Sequence, residues 1–86
     1  MNVIRYEKVG DISSKYSFLE VYSENGCEPF MEIAITDNKE LYFKTYVTSN
    51  EIELTLQHWE DILKTAKEFL PEALKDEEDY ESFMKS

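Results

Sequence analysis

The sequence predicts an α+β fold: an antiparallel sheet of four to five strands with one C-terminal amphipathic helix packed on one face. Two patterns and the composition point there. Residues 2–54 fall into short runs of alternating apolar and polar residues, broken by turn-forming clusters. Residues 55–84 instead repeat their apolar positions at intervals of three and four. The chain is 42% hydrophobic and 14% aromatic, with only 2 Gly and 2 Pro in 86 residues. Disordered chains lack such aromatic and β-branched content. This length accommodates a single domain, residues 1–86, with modest stability.

Val3 to Val9 reads as the first strand, closed by a turn at Gly10-Asp11. Lys15 to Ser23 alternates cleanly and is rich in aromatic and β-branched residues. Glu24-Asn25-Gly26 breaks it, and Asn-Gly is a strong hairpin signal; the loop is expected to run on to Pro29. Phe30 to Thr36 is the third strand. Asp37-Asn38-Lys39 turns the chain, and Glu40 to Thr48 returns it. After a break at Ser49-Asn50, Glu51 to Leu54 is a candidate fifth strand.

Thr55 has the chemistry of a helix N-cap. Beyond it, Leu56, Trp59, Ile62, Leu63, Ala66, Phe69 and Leu70 form an apolar stripe, with Trp59 expected to be buried against the sheet. Pro71 is expected to end or kink this helix. Tyr80, Phe83 and Met84, at i, i+3 and i+4, allow a short second helix.

Period-two alternation assigns the sheet faces. Leu19, Val21, Met31, Ile33, Ile35, Leu41, Phe43 and Val47 form the face toward the helix. The opposite face receives Tyr16, Phe18, Glu20 and Tyr22, then Phe30, Glu32, Ala34 and Thr36, then Tyr42, Lys44 and Tyr46. Tyrosine joins a large apolar area to a polar tip and is enriched at binding hot spots. Carboxylates between tyrosines suit a partner rich in Lys and Arg, through ion pairs and cation–π contacts. Glu20, Tyr22, Glu32, Tyr42, Lys44 and Tyr46 are therefore the candidate partner-binding residues. The alternative is that terminal residues cover this face and make it a second small core, or that the aromatics only stabilise the sheet. The acidic tail Asp76 to Asp79 is the next candidate surface.

The formal charge is −10, from 19 acidic and 9 basic residues. Such a field repels phosphates, so direct binding to nucleic acid or to an anionic membrane is not expected. It attracts basic proteins, although acidity also serves solubility alone. Cys27 is the single cysteine, so no internal disulfide forms. The first residues carry no apolar signal-peptide core, and no apolar run approaches the roughly 20 residues of a membrane span. The expected compartment is the cytoplasm.

No catalytic constellation stands out, and the chain is not expected to be an enzyme. His58, the only histidine, sits in the first helical turn, where capping or exposure is its expected role. Cys27 has no second thiol and no evident base nearby. The sequence contains no phosphate-binding glycine loop, zinc pattern or nucleophile elbow, and no cofactor is implied. The carboxylate runs at 37–40 and 76–79 lack the geometry of a calcium loop.

A strand meander (KYSFLEVYSENGCEPFMEIAITDNKELYFKTYV) leading into one apolar helix (LTLQHWEDILKTAKEFLPEAL), in a short acidic chain, resembles the small immunity proteins of bacterial toxin systems such as contact-dependent growth inhibition. The resemblance spans the whole chain in general character and carries no signature motif. It implies a non-catalytic inhibitor that binds a cognate toxin domain, often a nuclease, and occludes its basic active-site cleft or an exosite. Two alternatives remain open on the residues alone. One is an acidic mimic of nucleic acid that blocks a DNA-binding protein. The other is a structural adaptor or obligate subunit, for which a homo-oligomer is an option.

Overall fold

The structure is a computed structural model that describes residues 3–10, 15–49 and 51–85. Asp11 and Asn50, assigned to turns from the sequence, lie outside the described residues. Strands β1 (Ile4–Val9), β2 (Phe18–Ser23), β3 (Met31–Ile35) and β4 (Leu41–Thr45) are followed by one helix, α1 (Leu56–Lys85). The sheet is a four-stranded antiparallel meander in the order β1-β2-β3-β4. Residues 51–54 are not a strand; Leu54 instead packs against the core.

Alternation assigns the helix-facing side as expected for Leu19, Val21, Met31 and Ile33, which are buried, and for Ile35 and Leu41, which pack against them. The helix meets this face with Ile62, Ala66, Phe69 and Ala73. The two alanines let the helix axis approach the sheet closely. At about 100° per residue these four positions point one way, and Leu56, Trp59 and Leu63 lie on one flank of that direction. Trp59 is accordingly 41% exposed and Leu63 43% exposed, which corrects the expectation that Trp59 is buried. The apolar stripe is wider than the contact it makes.

Three more expectations are corrected. Phe30 joins the core cluster with Met31. Its N–H donates to the Val21 carbonyl at 2.9 Å, while Met31 is the register partner of Val21. Both residues thus oppose Val21 in the manner of a β-bulge, and alternation fails there. Val47 is fully exposed because β4 ends at Thr45. Pro71 neither ends nor divides the helix, which is continuous through it. Pro71 is exposed, so the main-chain bond it forfeits is lost on the solvent side, where water replaces it. The positions expected to start a second helix continue α1.

The turns and caps follow from local chemistry. In the β2–β3 loop the Gly26 N–H donates to the Ser23 carbonyl at 3.1 Å. A Cβ at Gly26 would stand 2.4 Å from Ser23 Oγ, so any other residue there would have to turn the Ser23 hydroxyl aside. Gly26 has no positive φ, so the tight hairpin that Asn-Gly favours is not formed. Between β3 and β4, Lys39 donates its N–H to the Thr36 carbonyl at 2.9 Å and Thr36 to the Glu40 carbonyl at 2.8 Å. Lys39 adopts φ 67°, the left-handed residue that a three-residue hairpin loop demands. Thr55 caps α1. The His58 N–H donates to Thr55 Oγ1 at 3.1 Å, and the Thr55 N–H donates to His58 Nδ1 at 3.0 Å. This is a reciprocal capping box with histidine in the place usually held by Glu or Gln.

Candidate protein-binding face

The face of the sheet turned away from α1 is organised in rows across the strands. Register pairs Glu7 with Glu20, Glu20 with Glu32, and Glu32 with Lys44. Neighbouring strands lie about 5 Å apart, so carboxylate-bearing positions from β1, β2 and β3 stand side by side and meet one lysine on β4. Like charges directly opposite one another weaken a sheet. The fold tolerates this row because hydroxyls and cations at its margins hold the carboxylates.

Tyr46 donates its hydroxyl to Glu32 Oε1, and Tyr22 donates to Glu20 Oε1 at 3.5 Å. Burial pushes the Tyr46 hydroxyl well above the ordinary phenol range, and the Glu32 carboxylate adds to the rise. The Tyr22 hydroxyl is raised in the same direction by desolvation and by Glu20 and Glu7. Both phenols therefore stay protonated donors at neutral pH. Arg5, across from Tyr22 in register, lays its guanidinium 4.8 Å from the Tyr22 ring centroid. It also pairs with Glu7 at 3.8 Å and donates to the Gly26 carbonyl. Lys44 Nζ lies 5.9 Å from the Tyr46 ring.

All six residues expected from the sequence stand on this face, but they differ in access. Tyr42 and Lys44 are exposed, Glu20, Glu32 and Tyr46 are half-buried, and Tyr22 is buried. Tyr22, with 9% of its surface exposed, therefore offers little open contact area. Tyr16, assigned to this face by alternation, instead is buried and lines a cleft of about 290 Å³ with Lys15, Lys39, Leu74 and Glu77. It precedes β2, where strand alternation no longer applies. Sequence reasoning missed Glu7 and Arg5. Their alternation was visible, but the neighbour of β1 was not, and without it their face could not be assigned.

The remaining candidates lie elsewhere. Cys27 is exposed and lines a cleft of about 300 Å³ with Ser23, Gly26, Phe30 and Ile52. Asp76 of the acidic tail is engaged with Lys8 at 2.8 Å. Among the described residues, no group of His, Cys, Asp and Glu is placed to hold a metal ion, and no helix is long and apolar enough to cross a membrane. No protein-family model matches the chain, and comparison with curated proteins and with solved structures finds no match.

Proposed function

We propose that this chain is a non-catalytic inhibitor that binds a basic protein through the sheet face opposite α1. The observation that carries the reading is the cross-strand row Glu7–Glu20–Glu32, with Tyr42, Tyr46 and Lys44 beside it. A guanidinium or ammonium from a partner gains charge-assisted hydrogen bonds from these carboxylates and relieves their mutual repulsion. Tyr42 supplies open aromatic area beside them. The partner favoured by this chemistry and by the charge of −10 is a toxin domain, with a nuclease foremost, whose cleft is basic because its substrate is anionic. On this reading the chain acts as an immunity protein.

The test is capture on immobilised wild-type protein and on a Glu20→Gln/Glu32→Gln variant, followed by an activity assay of the captured protein. The expected result is a basic protein that wild type retains and inhibits, with an on-rate that falls between about 50 and 500 mM salt as the Debye length shrinks. The variant should bind at least roughly thirtyfold more weakly, as loss of central interface contacts implies. A partner bound equally by both proteins would place the interface elsewhere.

A further inference from the structure

The two edges of the sheet are built differently. On β1, charged residues Arg5, Glu7 and Lys8 crowd the strand, a usual guard against edge pairing. On β4 the strand itself carries a single charge, Lys44, and neither proline nor bulge. Its main-chain groups can be assigned. Thr36 donates to the Glu40 carbonyl, and Tyr46 donates to the Phe30 carbonyl. With the register Ile35↔Leu41 to Met31↔Thr45, antiparallel alternation places the bonded pairs at Glu40, Tyr42, Lys44 and Tyr46. The N–H and C=O groups of Leu41, Phe43 and Thr45 are therefore directed outward along the edge.

The side chains beside that edge are also uncovered. Phe43 is 40% exposed on the helix-facing side. The flank of α1 toward β1 is occupied by Asp61, Glu72 and Asp76, which bond Tyr6 and Lys8. Helical geometry turns Trp59 and Leu63 to the opposite flank, toward the β4 side of the sheet. Tyr42, on the other face, is exposed as well.

We infer that β4 pairs with β4 of a second copy, antiparallel about a two-fold axis at Tyr42. The reason lies in the segment Glu40-Leu41-Tyr42-Phe43-Lys44, which is its own complement when read in the opposite direction. Glu40 meets Lys44 of the second copy, Leu41 meets Phe43, and Tyr42 meets Tyr42. The outward groups of Leu41 and Phe43 are those such pairing requires. Each directly opposed pair is favourable: acid with base, aliphatic with aromatic, aromatic with aromatic. Shifting the axis to Lys44 would oppose lysine to lysine, which disfavours that register. Because side chains on one face remain on that face across an antiparallel pair, both helices lie on the same side of a continuous sheet. Phe43, Trp59 and Leu63 of each copy then border the groove between them. A two-fold contact of this kind is isologous and closes on itself, so it consumes the open edge without seeding a fibre.

Sedimentation equilibrium of the full chain at about 0.15 M salt tests this, with circular dichroism to confirm folding. Wild type is expected to dimerise. Glu40→Lys alone, which leaves the Glu32–Lys44 pair untouched, and Lys44→Glu alone should each weaken the dimer roughly tenfold, because two attractive pairs become repulsive. The double variant Glu40→Lys/Lys44→Glu should recover to within about threefold. A wild type that stays monomeric at the highest concentration reached, a dimer indifferent to Glu40→Lys, or a folded double variant that fails to recover would each overturn the inference. The experiment involves no toxin, so its outcome is separate from that of the proposed function.

Discussion

The helix is tied to the two sides of its sheet by different means. Toward β1 the contact is polar: Tyr6 donates its hydroxyl to Asp61 at 2.6 Å, and Lys8 Nζ reaches Glu72 at 3.3 Å and Asp76 at 2.8 Å. Toward β4 no such seam is formed among the described residues, and large apolar side chains stand partly in solvent instead. Between the two runs the buried column of Ile62, Ala66, Phe69 and Ala73. A polar seam specifies where the helix sits at small net gain. A partly uncovered apolar flank adds less to folding than the buried column does. The β1 side of the sheet is thus closed by polar contacts and the β4 side is left open.

The largest expected effect is on the column that both sides share. Ile62→Ala removes a fully buried side chain and should destabilise by about 2–5 kcal/mol, measured by urea denaturation. For a domain of this size, whose total stability is about 5–8 kcal/mol, that loss leaves a marginal fold. A cost below about 1 kcal/mol would show that the helix does not dock through this face.

The seam comes next. Tyr6→Phe should cost about 0.5–1.5 kcal/mol, while Lys8→Ala should cost less, since its ion pairs are exposed. The seam also has an alkaline signature. Burial, and next the hydrogen bond to Asp61, raise the Tyr6 hydroxyl above its ordinary value of 10.0. Folding therefore holds this proton more tightly than the unfolded chain does. The associated stability is fully present below about pH 10 and drains away as pH rises above it. Tyr46, raised by burial and by Glu32, acts in the same direction. Denaturation midpoints between pH 8 and 11 should fall more steeply for wild type than for Tyr6→Phe.

The turn that delivers the chain to β4 offers a gain. Lys39 holds a left-handed conformation that costs a non-glycine residue about 1 kcal/mol. Lys39→Gly relieves that strain but loses about 0.5–1 kcal/mol to glycine's greater freedom in the unfolded chain, so the net gain in urea denaturation should be at most about 0.5 kcal/mol. The open flank is expected to matter less than the column. Trp59→Ala, measured under conditions where the chain is monomeric, should cost about 1–2 kcal/mol, because 41% of Trp59 is already exposed and only the covered remainder is lost. A loss of 3 kcal/mol or more would mean that the flank belongs to the core, and the contrast between the two sides would fail.

Much of the sheet could be read from the sequence because strand alternation is a strict period: once one apolar residue is assigned inward, its neighbours follow. That logic correctly oriented Leu19, Val21, Met31, Ile33 and Leu41. It failed where the period breaks, at Phe30 beside the bulge and at Val47 past the end of β4. The helix was less legible. Its apolar residues cover more arc than one sheet contact uses, and a sequence rule weights Trp59 above Ala66 and Ala73, whereas close packing selects the small residues. On the candidate face, the carboxylates and tyrosines of β2, β3 and β4 were readable from alternation. The contribution of Glu7 and Arg5 depended on strand order, which is a tertiary fact.

The meander order β1-β2-β3-β4 also bears on how the chain acquires its structure. Every strand pairs with its neighbour in sequence, so no pairing has to await a distant segment. Loop-closure entropy is small at each step, and the helix arrives last in the chain with its N-terminal cap encoded within a single turn. The non-local step is the docking of the helix, whose contacts with β1 join residues 55 to 68 positions apart, and mixed domains of this kind fold more slowly than helical bundles. The apolar face of β2 and β3, whose core is completed by Ile62, Ala66, Phe69 and Ala73, stays open until the helix closes over it.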